Sequence, residues 1–221
     1  MTMSETSAAQ ARLRRLPKQA RGEQRVHAIL EAAASLFDEL GYDVTTTGMI
    51  ASRAHTAIGS LYDFFPNKES IATSLAEKYV NDIRSLYERI LMDDFIAISL
   101  SEAIDHIVDP LVQYQQTHVG LQEIWLRSQI DPHLKSLSLE LDTILSQQMT
   151  AVMLRRNPQY DEVSMQRIVY ICMWIIQGLT KKAVHGATID EPIIIELKHV
   201  LLAYLRSIED NRSESSVSPA L

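Results

Sequence analysis

Apolar residues recur along this chain at three- and four-residue steps, the period of helices buried on one face. The first clear stripe is Val26, Ile29, Leu30, Ala33, Leu36, Phe37 and Leu40. Gly41 stands where such a helix would stop, and Thr45, Thr46 and Thr47 each offer a hydroxyl to cap the next one. A two-turn helix is expected over 47–54, then an interruption at His55 and Thr56, then a second short helix over 57–64. Pro66 and Asn67 punctuate before a long helix from Lys68, whose apolar face carries Ile71, Leu75, Tyr79, Ile83, Leu86, Tyr87 and Ile90.

Beyond residue 95 the pattern predicts helices near 100–117, 119–130, 133–156, 161–184 and 190–209. Asp131-Pro132, Asn157-Pro158 and Gly186 mark boundaries, and Asp190 with Pro192 makes a helix start. Pro110 falls inside one of these helices and should kink or split it. The expected fold is therefore all-α, with about nine helices: a three-helix N-terminal head followed by a larger helical domain.

Composition agrees with this reading. Gly and Pro number only seven each in 221 residues, leaving little turn chemistry for an all-β fold. The one cysteine, Cys172, lies in an apolar run and reads as core, since metal and redox sites need clustered ligands. No stretch of about 18 uncharged apolar residues suggests a membrane span, so a cytoplasmic protein is expected. Net charge is −7, yet Arg12, Arg14, Arg15, Lys18, Arg21 and Arg25 crowd the start. A basic arm on an acidic body suits a protein whose one end meets phosphates. The expected organisation is a disordered basic arm over 1–20, a head over 21–68, a helical body over 69–210 and a flexible tail over 211–221.

Two short helices preceded by a longer one have the proportions of a helix-turn-helix. The second must fit the major groove, and the first braces it across the backbone. Ile50 and Leu61 are placed to pack the pair together, and Ala51 is small enough for close approach. Ile58, Gly59, Ser60 and Tyr62 are then left to face outward.

The run AAASLFDELGYDVTTTGMIASRAHTAIGSLYDFFPNKESI, from Ala32 to Ile71, resembles the N-terminal domain of TetR-type regulators. Phe37, Gly41-Tyr42, Thr46, Ile50-Ala51, Ala54, Gly59-Ser60-Leu61-Tyr62, Phe65-Pro66-Asn67-Lys68-Glu69 and Ile71 carry the likeness. The resemblance implies that Thr46 and Thr47 present a helix N-terminus to a phosphate. It puts Ile58, Gly59 and Ser60 along base edges or thymine methyls, Ala57 among the DNA-binding residues, and Tyr62 and Lys68 on phosphates. A core aromatic is the alternative for Tyr62. His55 replaces the usual turn glycine and should adopt positive φ, while Phe64 stands where His or Tyr is common.

The resemblance further implies a homodimer on a palindromic double-stranded DNA operator, a repressor's role, and a small, largely apolar effector held in the body. No cofactor, metal or catalytic residue is implied. For the dimer surface the chain offers Ile168, Cys172, Ile175, Ile176, Leu179, Ile194, Leu197, Leu201 and Leu205. A second apolar face, with Ile171, Trp174, Ile193, Ile195, Val200 and Leu202, leaves a choice over which face meets a partner; the interior of a monomer is the alternative for both. Effector-pocket candidates are Tyr79, Tyr87, His106, Tyr114, His118, Trp125, Gln129, Met149, Trp174 and Gln177, with plain core packing as the alternative for each. Such a mixed polar and aromatic lining would suit an amphipathic ligand.

Two other classes fit poorly. An enzyme would need a phosphate loop, nucleophile elbow or clustered metal ligands, and the seven histidines are scattered. A helical protein-interaction module would leave the pattern between Thr46 and Lys68 without a purpose.

Overall fold

The computed structural model describes residues 20–91, 93–185 and 188–215. Nine α-helices follow one another among them: α1 (Ala20–Leu40), α2 (Thr47–Arg53), α3 (Ile58–Phe64), α4 (Lys68–Ile90), α5 (Leu100–Thr117), α6 (Leu121–Ser128), α7 (Pro132–Arg156), α8 (Glu162–Ala183) and α9 (Glu191–Ser215). A 3-10 turn spans Asp93–Ile96, and a hairpin of β1 (Val184–His185) and β2 (Thr188–Ile189) joins the last two helices. The fold is the all-helical one that the periodicity indicates.

Most helix starts carry the side-chain caps their sequences offer. Thr46 is extended (φ −116°) and its hydroxyl accepts from the Met49 N–H at the start of α2. Ser99 and Glu102 form a reciprocal capping box at α5, each accepting from the other's backbone N–H. Asp131 caps α7 ahead of Pro132, and Asp161 caps α8. Thr45 instead closes the end of α1. It is fully buried and shares its hydroxyl hydrogen between the Leu36 and Gly41 carbonyls.

Three expectations change. Helix α5 runs unbroken through Pro110. The boundary residue Gly186 lies outside the described residues, and the strands before and after it pair with Val184 opposite Ile189. Helix α9 continues to Ser215, past the expected onset of a flexible tail at 211, because no Gly or Pro interrupts the run from Leu201 to Ser215. The basic arm expected over 1–20 lies outside the described residues, apart from Ala20, which opens α1.

The chain forms two compact units. The first runs to Asp82 and also takes in His118–Leu139; the second comprises Ile83–Thr117 and the residues from Glu140 onward.

In the first unit Ile29, Phe37, Ile50, Leu61, Phe65 and Ile71 are all at or below 1% exposure. Burying each such side chain stabilises the fold by about 1.5–3 kcal/mol. Helix α6 and the turn before it join this unit through polar contacts: Tyr42 N–H donates to Glu123 Oε1 (2.9 Å) and Tyr79 Oη donates to the Val119 carbonyl (2.7 Å). The Arg127 guanidinium lies 4.5 Å over the Tyr42 ring. In the second unit α5, α7, α8 and α9 enclose a core that includes Val108, Leu145, Met165, Val169, Leu197 and Leu201.

Candidate nucleic-acid interface

Helices α2 and α3 meet through buried Ile50, Ala51 and Leu61. The turn between them depends on His55, the one described non-glycine residue with positive φ (50°). The left-handed conformation expected from its replacement of glycine is thus observed. Thr56 N–H donates back to the Ala51 carbonyl and completes the turn.

With Leu61, Phe64 and Phe65 turned inward, α3 presents Ile58 (44% exposed), Gly59 and Tyr62 (39% exposed) outward. A Cβ at Gly59 would meet nothing within 4 Å, so the surface there is shallow and open. Tyr62 Oη and Thr47 Oγ1 share an exposed hydrogen bond of 3.0 Å, joining α3 to α2. Tyr62 is therefore a surface residue, and its core alternative falls away. Ala57 is exposed, and Ser60 is half-buried. Thr46 keeps a position at the surface of α2, but its hydroxyl is engaged in the cap.

Lys68 behaves differently from the expectation of a free phosphate contact. Its Nζ donates to the Tyr42 carbonyl (2.6 Å) and the Asp43 carbonyl (3.3 Å), and lies 4.3 Å from the Tyr42 ring centroid. It ties the start of α4 to the turn that follows α1. Arg53 likewise turns back on its own unit, donating to both Glu39 carboxylate oxygens (2.7 and 2.9 Å) and to Ser35 Oγ. The Arg53 hydrogen bond, helped by that of Ser35, holds the Glu39 carboxyl down at about 2. This exposed clamp fixes α2 against α1.

Residues 29–75 match the family described as bacterial regulatory proteins, tetR family, and residues 99–205 match the tetracyclin repressor-like C-terminal domain. The chain belongs to the TetR family of transcriptional regulators. It is a DNA-binding regulator, and the family is not one of enzymes.

A TetR-family regulator from Streptomyces coelicolor superposes with a TM-score of 0.56 at 26% identity, over 83% of this chain and 98% of that one. A TetR-like regulator from Rhodococcus sp. RHA1 gives 0.66 over 87% and 99%, at 16% identity, and speaks for the fold alone. Among curated proteins, the A-factor receptor protein of Streptomyces griseus is 37% identical over 68 residues, 31% of this chain and 25% of that protein. An HTH-type transcriptional repressor of Rhodococcus jostii is 33% identical over 76 residues, 34% of this chain and 37% of that protein. The chain thus matches less than half the length of either curated relative.

A TetR-family body invites the question of where a ligand would sit, and the second unit contains a cavity with almost wholly apolar walls. Of the ten pocket candidates, Tyr87 and Met149 line it. Tyr79, His118, Trp125 and Gln129 belong to the first unit. His106 is exposed with Nδ1 2.8 Å from the Glu102 carbonyl, and Trp174 is 59% exposed. Tyr114 is half-buried, and Gln177 donates to Asp142 Oδ1. The walls are instead aliphatic, aromatic and sulfur-bearing, with Phe95, Ile104, Met153 and Met173 among the residues that sequence reading missed. No polar signal could have found them, because their periodicity is that of ordinary core.

The stripe assigned to the dimer surface also goes inward. Ile168, Cys172, Ile176, Leu201 and Leu205 line the cavity, while Ile194 and Leu197 are buried in the core. Ile175 and Leu179 are half-buried against that core. The opposite face carries the exposed apolar residues: Val163, Tyr170, Ile171 and Trp174 on α8, with Ile195 and Val200 on α9. Both faces of these helices are apolar, so periodicity alone gave no means of telling the inner from the outer.

Among the described residues no helix is long and apolar enough to cross a membrane.

Proposed function

We propose that this chain is a dimeric repressor that holds a palindromic operator through its helix-turn-helix and releases it when a small apolar molecule enters the second unit. The observation that carries this reading is the apolar-walled cavity in the second unit of a TetR-family chain. An effector favours release only by binding the released state better than the DNA-competent one. The names of the two curated relatives, a receptor and a repressor, agree with such a role.

At the operator, Ala57, Ile58, Gly59 and Ser60 approach base edges, and Tyr62 donates to a phosphate with Thr47 steadying its hydroxyl. Thr46 and Thr47 bring the start of α2 to the backbone. Lys68 uses two of an ammonium's three donors on carbonyls and keeps one for phosphate. The basic arm over 1–20 adds backbone contacts. Dimerisation uses the exposed face with Tyr170, Trp174 and Ile195, and sets the two recognition helices about 34–36 Å apart or at a multiple of a turn.

Selection of bound fragments from the source genome tests the DNA half, and a metabolite screen for release tests the effector half. A palindromic consensus and release by apolar compounds are expected. Retention without sequence preference, or release only by compounds that fail to bind the protein, would sink the reading.

A further inference from the structure

The cavity in the second unit has a wall chemistry that selects among ligands. Sixteen of its lining residues carry no charge, and Met149, Met153 and Met173 give it flexible thioether walls that adapt to ligand shape. The charged residue on its wall is Arg156. Two of its five N–H donors are engaged: Nε donates to Glu209 Oε1 at 3.1 Å and Nη1 donates to the Ile98 carbonyl at 2.8 Å. The Arg156 side chain is 15% exposed, while Glu209, at 36%, reaches solvent from the other side of the pair.

We propose that the cavity takes an uncharged, predominantly hydrocarbon ligand, and that the Arg156–Glu209 pair excludes anionic analogues of the same length. This rests on the effector reading and names its ligand class. An ionised carboxylate entering here must shed its water and compete with Glu209 for the Arg156 charge, and burying an unpaired charge is strongly unfavourable. Glu209, 3.1 Å from Arg156 Nε, already offsets the charge of that cation. A neutral alcohol or ester loses far less on leaving water and gains the same apolar contact. Specificity then comes from a repulsive element as well as an attractive one.

The test compares 1-decanol, methyl decanoate and decanoate at pH 7.5, below their micelle-forming concentrations. Binding is read from the ¹³C-methyl signals of Met149, Met153 and Met173 in the full chain. The alcohol and ester are expected to shift these signals and to bind at least ~10-fold more tightly than decanoate. In Glu209→Gln the Arg156 charge loses its counterion, so decanoate should gain ~10-fold or more while decanol changes by less than ~3-fold. Equal or tighter decanoate binding by the unmodified chain would overturn the proposal, as would no methionine shift with either neutral compound. A Glu209→Gln preference unchanged from the unmodified chain would also overturn it. Should Glu209→Gln fail to fold, the comparison on the unmodified chain still decides. Neutral ligands that bind without releasing DNA would leave the ligand class standing and defeat the effector reading instead.

Discussion

A Cβ placed on Gly120 would lie 2.6 Å from the carbonyl oxygen of Ala34 and 2.9 Å from its Cα. The residue before α6 thus touches the backbone of α1, at a φ of +77° that disfavours any side chain. Its N–H also faces Asp38 Oδ1 at 3.3 Å. Gly120→Ala must push α6 away from α1 or distort both. The expected loss of stability is about 2–4 kcal/mol in denaturant melts, from backbone strain and overpacking together. A change under about 0.5 kcal/mol would mean that the approach is not a packing constraint.

Tyr62 and Lys68 should separate in their effects. Tyr62→Phe removes an exposed hydroxyl whose partner is Thr47, so stability should change by less than about 0.5 kcal/mol. DNA affinity should fall about 5–10-fold in anisotropy titrations, the value of one hydrogen bond. Lys68→Ala should lower both, because its ammonium holds the Tyr42 and Asp43 carbonyls. Equal thermal losses in the two variants would contradict this division.

Sequence reading succeeded where local chemistry is specific. Thr46, His55 and the Asp131-Pro132 pair each require one backbone geometry, and the structure has it. It failed where only hydrophobicity was on offer. Leu197 and Ile195 are equally apolar in sequence, yet one is fully buried and the other half exposed. The cavity suffers the same ambiguity, since Met153 or Ile104 beside a void has the periodicity of a residue beside another residue. Lys68 misled for a further reason: its partners are carbonyls of residues 42 and 43, which no side-chain pattern reveals.

Trp174→Arg and Ile195→Glu place charges on the exposed face of α8 and α9. Both should leave the far-ultraviolet signal and melting temperature of the monomer nearly intact while shifting sedimentation from dimer toward monomer. Leu197→Glu, at 0% exposure, should instead unfold the chain. If Trp174→Arg remained dimeric at low micromolar concentration, the contact would lie elsewhere.

Asp142 and Lys181 give the second unit a distinct pH response. Burial lowers the Lys181 ammonium to about 8, against a partial restoring attraction from Asp142, whose own carboxyl is raised by burial despite the Gln177 hydrogen bond. Between about 8 and the ordinary 10.5 the unfolded chain holds a proton on this lysine that the folded chain has lost. Stability from Lys181 therefore rises with pH across that window. The useful range ends near 10, because Tyr42, raised to about 12 chiefly by burial, acts in the opposite sense above its ordinary 10.0. Urea midpoints at pH 7.5, 8.5 and 9.5 should climb relative to those of Lys181→Met. Parallel curves for the two proteins would refute the assignment.

Cys172 should be inert. Burial pushes its thiol up to about 11, leaving about one thiolate per thousand at pH 8. Iodoacetamide should modify the folded chain far more slowly than the urea-unfolded chain, and rapid labelling of the folded form would contradict the burial.

The first unit is discontinuous in sequence, and this bears on how the protein can be recombined. Its helix-turn-helix ends before Lys68, yet Glu123 and Arg127 meet Tyr42, and Gly120 meets Ala34. A chimera joined after residue 68 would set a foreign α1 against this chain's α6, with no assurance of a small residue opposite Gly120 or an aromatic ring beneath Arg127. The transferable module is residues 20–82 together with 118–139, a graft with three junctions rather than one.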